Sequence, residues 1–280
     1  MTTTRICIRI DIDTVRDTEV LPTILEMLGK FNMPATFFLT TGDDCTFKNC
    51  KNYLNPLKLF QKKAFKQHGI KQMLMGFFNK KQVQSSENLK LIIEKGHELG
   101  LHGYLHYEWM NSLNERTEKE IIAWISTGVE LFEKETGFKP ESFSSPGFTV
   151  TNSFLTALDS FNFNYSSDFR GNKEFYPLAG DNQCSTLQLP VAEKSFGELE
   201  HEGFSEDEIF ERYIAHINKS EDFFIFYMHP SYEPVINKDL LGKILKHISA
   251  KENFKVVTMQ ELADAIKSQE KTKYENTSDI

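Results

Sequence analysis

Residues 96–106, GHELGLHGYLH, concentrate three histidines in a chain of 280 residues that has only eight. His102 and His106 stand four residues apart just after a short apolar run, a spacing at which two imidazoles can share one face of a helical turn. Neutral imidazoles are the commonest metal ligands. Two of them with one carboxylate leave coordination positions open for water and substrate. A lone His-x-x-x-His also arises from two solvated surface histidines, so its meaning depends on what else collects nearby. The segment RICIRIDID closes with Asp11 and Asp13, one residue apart and therefore directed to the same side of a strand. FFIFYMH ends in His229, followed by Pro230, and NYSSDFRG carries Asp168 and Arg170. Carboxylates and imidazoles gathered at one end of a sheet are the donor set of a hydrolytic metal centre. The bland alternative has Asp11 or Asp13 capping a loop and His229 satisfied within a core, and it needs several coincidences at once. His68, His97, His201, His216 and His247 read as surface or structural groups.

These residues must be positioned by the elements around them, which alternate. Strand patterns occur at RICIRIDID, MPATFFLT, HELGLHG, ESFSS, NFNYSSDF, STLQLPV, DFFIFYMH and FKVVTM. Helical periodicity runs through EVLPTILEMLGKF, SENLKLIIEKG, ERTEKEIIAWISTGVELFEKETGF, NSFLTALDSF, EDEIFERYIAHI, KDLLGKILKHI and QELADAIKS. Repeated βα units of this length indicate a parallel α/β fold, barrel-like rather than an open sheet, in which chemistry gathers at the C-terminal ends of the strands. The expected organisation is one domain over 1–268 with an insertion after the second strand, followed by a polar, frayed tail over 269–280.

An apolar content of 40% and 24 phenylalanines exclude a disordered chain. The net charge of −8 makes nucleic acid an unexpected partner. Cys7, Cys45, Cys50 and Cys184 follow no CxxC or regular spacing and read as reduced thiols of a cytoplasmic protein. No charged-then-apolar leader opens the sequence, and no run reaches the roughly 18 apolar residues that span a bilayer. From Lys48 to Gln84 there are nine lysines and no Asp or Glu. Ile70, Met73, Leu74, Phe77 and Phe78 recur there at helical spacing, and Leu57, Phe60 and Ala64 begin a similar stripe. A basic amphipathic segment of this kind lies on an anionic membrane surface, or else is an insertion with solvated lysines.

The ordered set IRIDIDT, ATFFLTTG, GHELGLHGYLH, SFSSPGF, SSDFRG and FYMHP resembles the polysaccharide deacetylase family, also called NodB homology or carbohydrate esterase family four. The resemblance covers about residues 5–265. It implies a deformed (β/α) barrel, with a helical insertion in this chain, and a divalent metal, Zn²⁺ first and Co²⁺, Ni²⁺ or Mn²⁺ otherwise. By that resemblance Asp13, His102 and His106 are the metal ligands, Asp11 is the general base and His229 the general acid. Loops 38–42 and 145–148 become candidates for an oxyanion donor. One departure stands out. The family's third motif places an arginine where this chain has Ser144, and Arg170 with Asp168 as its partner is the candidate replacement. IRIDIDT, GLHGYLH, NYSSDFRG and LQLPV resemble more narrowly the branch that removes acyl groups from undecaprenyl-phosphate-linked amino sugars in lipid A modification. That branch implies a peripheral protein at the inner face of the inner membrane, docked through 48–84. An N-acetylgalactosamine-type lipid is the expected substrate, with 4-deoxy-4-formamido-arabinose phosphoundecaprenol as the alternative. A non-catalytic lipid-sugar binding protein is a further alternative. No GxSxG elbow or paired cysteine supports a Ser or Cys hydrolase.

Overall fold

The computed structural model describes residues 3–44 and 82–278. Its strands are β1 (Thr4–Ile12), β2 (Thr36–Thr41), β3 (Glu98–Tyr104), β4 (Ser142–Phe143), β5 (Tyr165–Ser166), β6 (Leu178–Ala179), β7 (Asn182–Gln183), β8 (Leu187–Gln188), β9 (Phe223–Met228) and β10 (Phe254–Val256). The helices are α1 (Val15–Glu19), α2 (Leu21–Lys30), α3 (Lys90–Glu94), α4 (His106–Ser112), α5 (Glu118–Thr136), α6 (Asn152–Asp159), α7 (Phe196–His201), α8 (Glu206–Lys219), α9 (Glu233–Ile236), α10 (Lys238–Ser249) and α11 (Met259–Ser278). The last helix continues through most of the stretch whose composition reads as a tail. The basic segment falls mostly on residues 45–81, outside the described residues.

One parallel sheet runs β9-β1-β2-β3-β4-β5-β8, with β10 beside the start of β1. A single parallel bridge, Glu193 to Phe226, joins the chain after β8 back to β9, so the sheet curls round to meet itself. The buried Glu193 carboxylate anchors this closure by accepting from Arg212 on α8 (2.9 Å), with the His216 ring of the same helix 2.5 Å away. This is the deformed barrel expected from the alternating elements, with only two residues of regular pairing in β4, β5 and β8.

Side-chain parity divides the core. Ile6, Ile8, Ile10 and Ile12 of β1 pack outward with Phe224, Phe226 and Met228 of β9 against the helical layer. Cys7, Phe38, Tyr165, Ile225 and Tyr227 form the inner cluster. Arg9 and Asp11 share the parity of Cys7 and are buried as well. The lower end of the barrel is closed by Glu98, which accepts from Thr36 (2.7 Å), Ser142 (3.0 Å), Tyr165 (2.6 Å) and the Gln260 backbone (2.9 Å). Gly100 leaves room for this packing, since a Cβ there would stand 2.4 Å from the Ser142 hydroxyl.

His97, beside this lower plug, is structural as its position before β3 suggests. Its Nδ1 accepts from the Ala35 N–H at 3.1 Å, and burial holds its pKa down to about 4. The unfolded imidazole binds a proton below about 6.5 and the folded one does not, so stability is lost as pH falls from 6.5 towards 4. His97→Gln keeps an acceptor without a titrating group. The fall in melting temperature over that interval is therefore expected to be shallower in the variant, as read by thermal melts at matched pH.

Candidate active site

The upper end of β1 carries the first site residues. Asp11 lies inside the strand and Asp13 immediately after it, and the shared parity brings both carboxylates to His102. The His102 Nε2 is 3.3 Å from Asp13 Oδ1 and 3.9 Å from Asp11 Oδ2. The His106 Nε2 is 3.4 Å from Asp13 Oδ2.

The two histidines do not meet on a helical turn, as their spacing suggested. His102 belongs to β3 and His106 is the first residue of α4. The chain reverses between them through Gly103 (φ 65°) and Leu105 (φ 56°), both in the left-handed region. A Cβ at Gly103 would lie 2.9 Å from Pro146 Cδ, so glycine suits both the backbone conformation and the space. A strand-to-helix corner therefore supplies the convergence that periodicity assigned to a helix.

Asp13, His102 and His106 offer ligand atoms that all lie within 4.8 Å of one another. Asp13 Oδ1 is buried and has no hydrogen-bond partner, an unusual condition for a carboxylate oxygen. Ligands bound at ~2.0–2.1 Å to one tetrahedral ion sit roughly 3.3–3.4 Å apart, which matches these separations. The donor set therefore fits a divalent ion. Burial raises the Asp13 pKa, but His106, His229, His102 and Arg9 outweigh it and hold the carboxyl down at about 2. On His102 burial acts the other way and holds the pKa down at about 4, leaving a neutral ring. Its Nδ1 faces the Ser144 carbonyl (3.1 Å) and hydroxyl (2.6 Å). Donation from Nδ1–H to that carbonyl leaves the Nε2 lone pair directed at the cluster. Ser144, where the third-motif arginine is missing, thus orients the His102 ring.

The cation beside Asp11 is Arg9. It is fully buried, and its Nε and Nη2 donate to the two oxygens of Asp11 at 2.8 Å each. Its Nη1 donates to the Ser167 carbonyl at 2.5 Å and hydroxyl at 3.1 Å, tying the pair to the strand opposite. The planar fork fixes the direction of the Asp11 carboxylate more tightly than a lysine would. The available signal was parity: Arg9, Asp11 and Asp13 alternate with isoleucines along one strand, which puts a cation on the same face as both acids.

Among the described residues Arg170 is hydrogen-bonded to neither Asp11 nor Asp168. Asp168 is buried and accepts from the Ser145 N–H (2.7 Å), Ser166 (2.6 Å) and Gln188 (2.9 Å), holding the loop after β4 against β5 and β8. Arg170 instead donates to Glu198 (2.7 Å) and the Tyr227 hydroxyl (3.1 Å) at the mouth of the barrel. β5 ends at Ser166, so the two-residue repeat of a strand does not extend to these positions and does not bring them to one face. Two of the proposed oxyanion donors are engaged elsewhere, Ser145 N–H by Asp168 and Gly42 N–H by Gln84 (2.9 Å).

His229 follows β9, with its Nε2 3.4 Å from Asp13 Oδ2. Its backbone N–H donates to the buried Glu233 at 2.8 Å. Burial lowers its pKa, but the carboxylates of Asp13, Glu233, Asp11 and Asp17 prevail and raise it to about 9. A protonated imidazole is what a general acid requires at neutral pH. Glu233 and Asp17, which also holds the Ser231 N–H (3.1 Å), are supports that sequence inspection passed over, because nothing local distinguishes them from helix-end acids.

Residues 2–166 match the sequence profile of the polysaccharide deacetylase family. The chain belongs to that family. A relative from Wigglesworthia glossinidia brevipalpis, described as a probable 4-deoxy-4-formamido-L-arabinose-phosphoundecaprenol deformylase, is 32% identical over 64% of this chain and 65% of its own length. A protein of the same description from Shewanella sediminis is 27% identical over 93% of this chain and 86% of its own length. Among solved structures, one from Mycobacterium smegmatis assigned to polysaccharide deacetylases shares the fold with a TM-score of 0.68. It is 17% identical and covers 96% of this chain and 92% of its own. The family's chemistry is hydrolysis of an N-acyl bond. The descriptions of both relatives specify formyl, the alternative to the acetyl group that the sequence reading put first. A pocket separates the two acyl groups by only about 1–3 kcal/mol, too little for any motif to reveal.

Proposed function

We propose that this chain is a metal-dependent N-deformylase acting on a 4-deoxy-4-formamido-arabinose carried by phosphoundecaprenol, within lipid A modification. The observation that carries this reading is the cluster of Asp13, His102 and His106 flanked by Asp11 and His229, in a chain whose relatives bear the deformylase description. A divalent ion at Asp13, His102 and His106, zinc by the nitrogen-rich donor set, would polarise the amide carbonyl and lower the pKa of a water. Asp11, held by Arg9, accepts the proton of the attacking water. His229 gives its proton to the departing nitrogen, which leaves as the amine while the formyl carbon leaves as formate. The supports of His229, Glu233 by charge and Asp17 by charge, keep the proton available until that step.

The lysine-only segment would bring the protein to an anionic cytoplasmic membrane surface, where such a lipid resides. Among the described residues no helix is long and apolar enough to cross a membrane.

Mass spectrometry of the purified protein with formylated and acetylated forms of the lipid-linked sugar tests the reading. A loss of about 28 Da from the formylated lipid is expected, by hydrolysis. A loss of about 42 Da from an acetylated hexosamine lipid alone would return the substrate to the N-acetylgalactosamine class. No loss from either would remove the enzymatic reading and favour a lipid-sugar binding protein.

A further inference from the structure

The pairing of β1 with β9 ends at Ile10 and Met228. Asp13 and His229 both lie beyond it, on the two loops that follow these strands, yet the His229 Nε2 is 3.4 Å from Asp13 Oδ2. The sheet therefore does not fix that separation by itself. Asp17, on α1, bonds to both loops. Its Oδ2 accepts from the backbone N–H of Asp13 (3.2 Å) and of Thr14 (2.9 Å) and from the Thr14 hydroxyl (2.7 Å). Its Oδ1 accepts from the backbone N–H of Ser231 at 3.1 Å, two residues past His229 and 214 positions away in the chain.

Asp17 is also the third residue of a capping box, an ordinary task for an acid at a helix start. That task does not require burial. Glu120 and Glu208 hold the same position in the boxes of α5 and α8 and are exposed. Asp17 is 2% exposed. A buried carboxylate is costly unless its lone pairs are filled, and here four donors from two loops fill them. The turn after β1 has a second anchor, since Asp44 accepts from the Val15 N–H at 2.9 Å.

We infer that Asp17 is a positioning residue whose carboxylate clasps the turn carrying Asp13 to the loop carrying His229, and so sets the proton donor against the metal-ligand carboxylate. The inference rests on the roles proposed above for those two residues. Asp17 touches no reacting atom and acts through the two backbones it joins. An asparagine separates its two tasks. The amide has one acceptor oxygen, which goes to the side with three donors, at Asp13 and Thr14. Its NH₂ then faces the Ser231 N–H, donor against donor, and only the bond to the His229 loop is lost.

Amide hydrogen exchange at single-residue resolution, metal content and formate release from the formylated lipid-linked sugar test this on the full chain. Asp17→Asn is expected to keep stoichiometric metal, to speed exchange of the Ser231 amide ~10-fold or more and to slow formate release ~10-fold or more. In a His229→Gln background the same change is expected to cost less than ~2-fold, because the donor it places is gone. Glu120→Gln, at an exposed capping-box acid, is expected to leave both formate release and the Ser231 amide at wild-type levels. Unchanged Ser231 exchange in Asp17→Asn, or an equal loss of formate release with and without His229, overturns the assignment. The wild type carries a check that needs no folded variant. One opening frees both the Thr14 and Ser231 amides, so their protection factors are expected within ~10-fold of each other, and an unprotected Ser231 beside a protected Thr14 overturns the clasp. No formate release by the wild type sinks the deformylase reading alone. Exchange then decides the clasp, which stands if Asp17→Asn speeds the Ser231 amide with metal retained and falls if it does not.

Discussion

Asp13→Asn and His102→Ala are each expected to abolish stoichiometric metal binding and to lower turnover by ~10³-fold or more, about 4 kcal/mol of transition-state stabilisation. Elemental analysis after dialysis and single-turnover kinetics measure the two effects separately. Three ligand atoms within 4.8 Å of one another leave no redundancy, because removing one leaves a two-donor site. Asp13→Asn also replaces the carboxylate that lies nearest both histidines and His229. A graded control comes from Ser144→Ala, which keeps every ligand and removes only the hydroxyl beside His102 Nδ1. It is expected to weaken metal affinity by ~10-fold, the usual scale for a partner behind a ligand. A third readout needs no substrate. Adding zinc at ~100 times its dissociation constant is expected to stabilise the wild type by about 2.7 kcal/mol by mass action, and neither ligand variant. Metal-independent melting of the wild type would mean that the cluster is not a metal site.

The second large effect is at Arg9. Arg9→Met is expected to destabilise the protein by about 3–5 kcal/mol, because Asp11 is left as a buried charge without its partner. It is also expected to lower kcat by ~10²-fold, since the carboxylate loses the bidentate fork that aims it, while metal content stays at the wild-type level. A merely structural arginine would lower stability alone. The double variant Arg9→Met/Asp11→Asn distinguishes the possibilities. Arg9 acts on turnover through Asp11, so the double is expected to be no slower than Asp11→Asn by itself. It should also be more stable than Arg9→Met, because the orphaned charge is gone. Additive losses in turnover would show that Arg9 acts independently of Asp11 and would refute the positioning role.

The clustering of the candidate site residues was legible because strand parity and strand ends are local features. Asp11 and Asp13 share a face through the two-residue repeat of a strand, and His102, His106 and His229 lie where strands end, which in a parallel barrel is one end of the molecule. The barrel itself followed from alternating strand and helix periods. The short strands β4, β5 and β8 were legible as extended segments, but not their reduction to two-residue pairings. The turn joining His102 to His106 was misread, because i,i+4 spacing on a helix and a strand-to-helix corner through two left-handed residues are identical on paper.

What only the tertiary structure decided was who partners whom. Arg9 reaches Ser167, 158 positions away, because the sheet curls until β1 and β5 face each other across the interior. That curl leaves Arg9, two positions before Asp11, bonded to both oxygens of that carboxylate and to the far side of the barrel. It releases Arg170 to the mouth and makes Asp168 a brace for the loop that holds Ser144 and Ser145. Strand parity is a property of each segment alone, and so the amino-acid sequence determines which residues face inward. The partner met across the barrel depends on curvature and register summed over every strand between, and no local pattern carries that information.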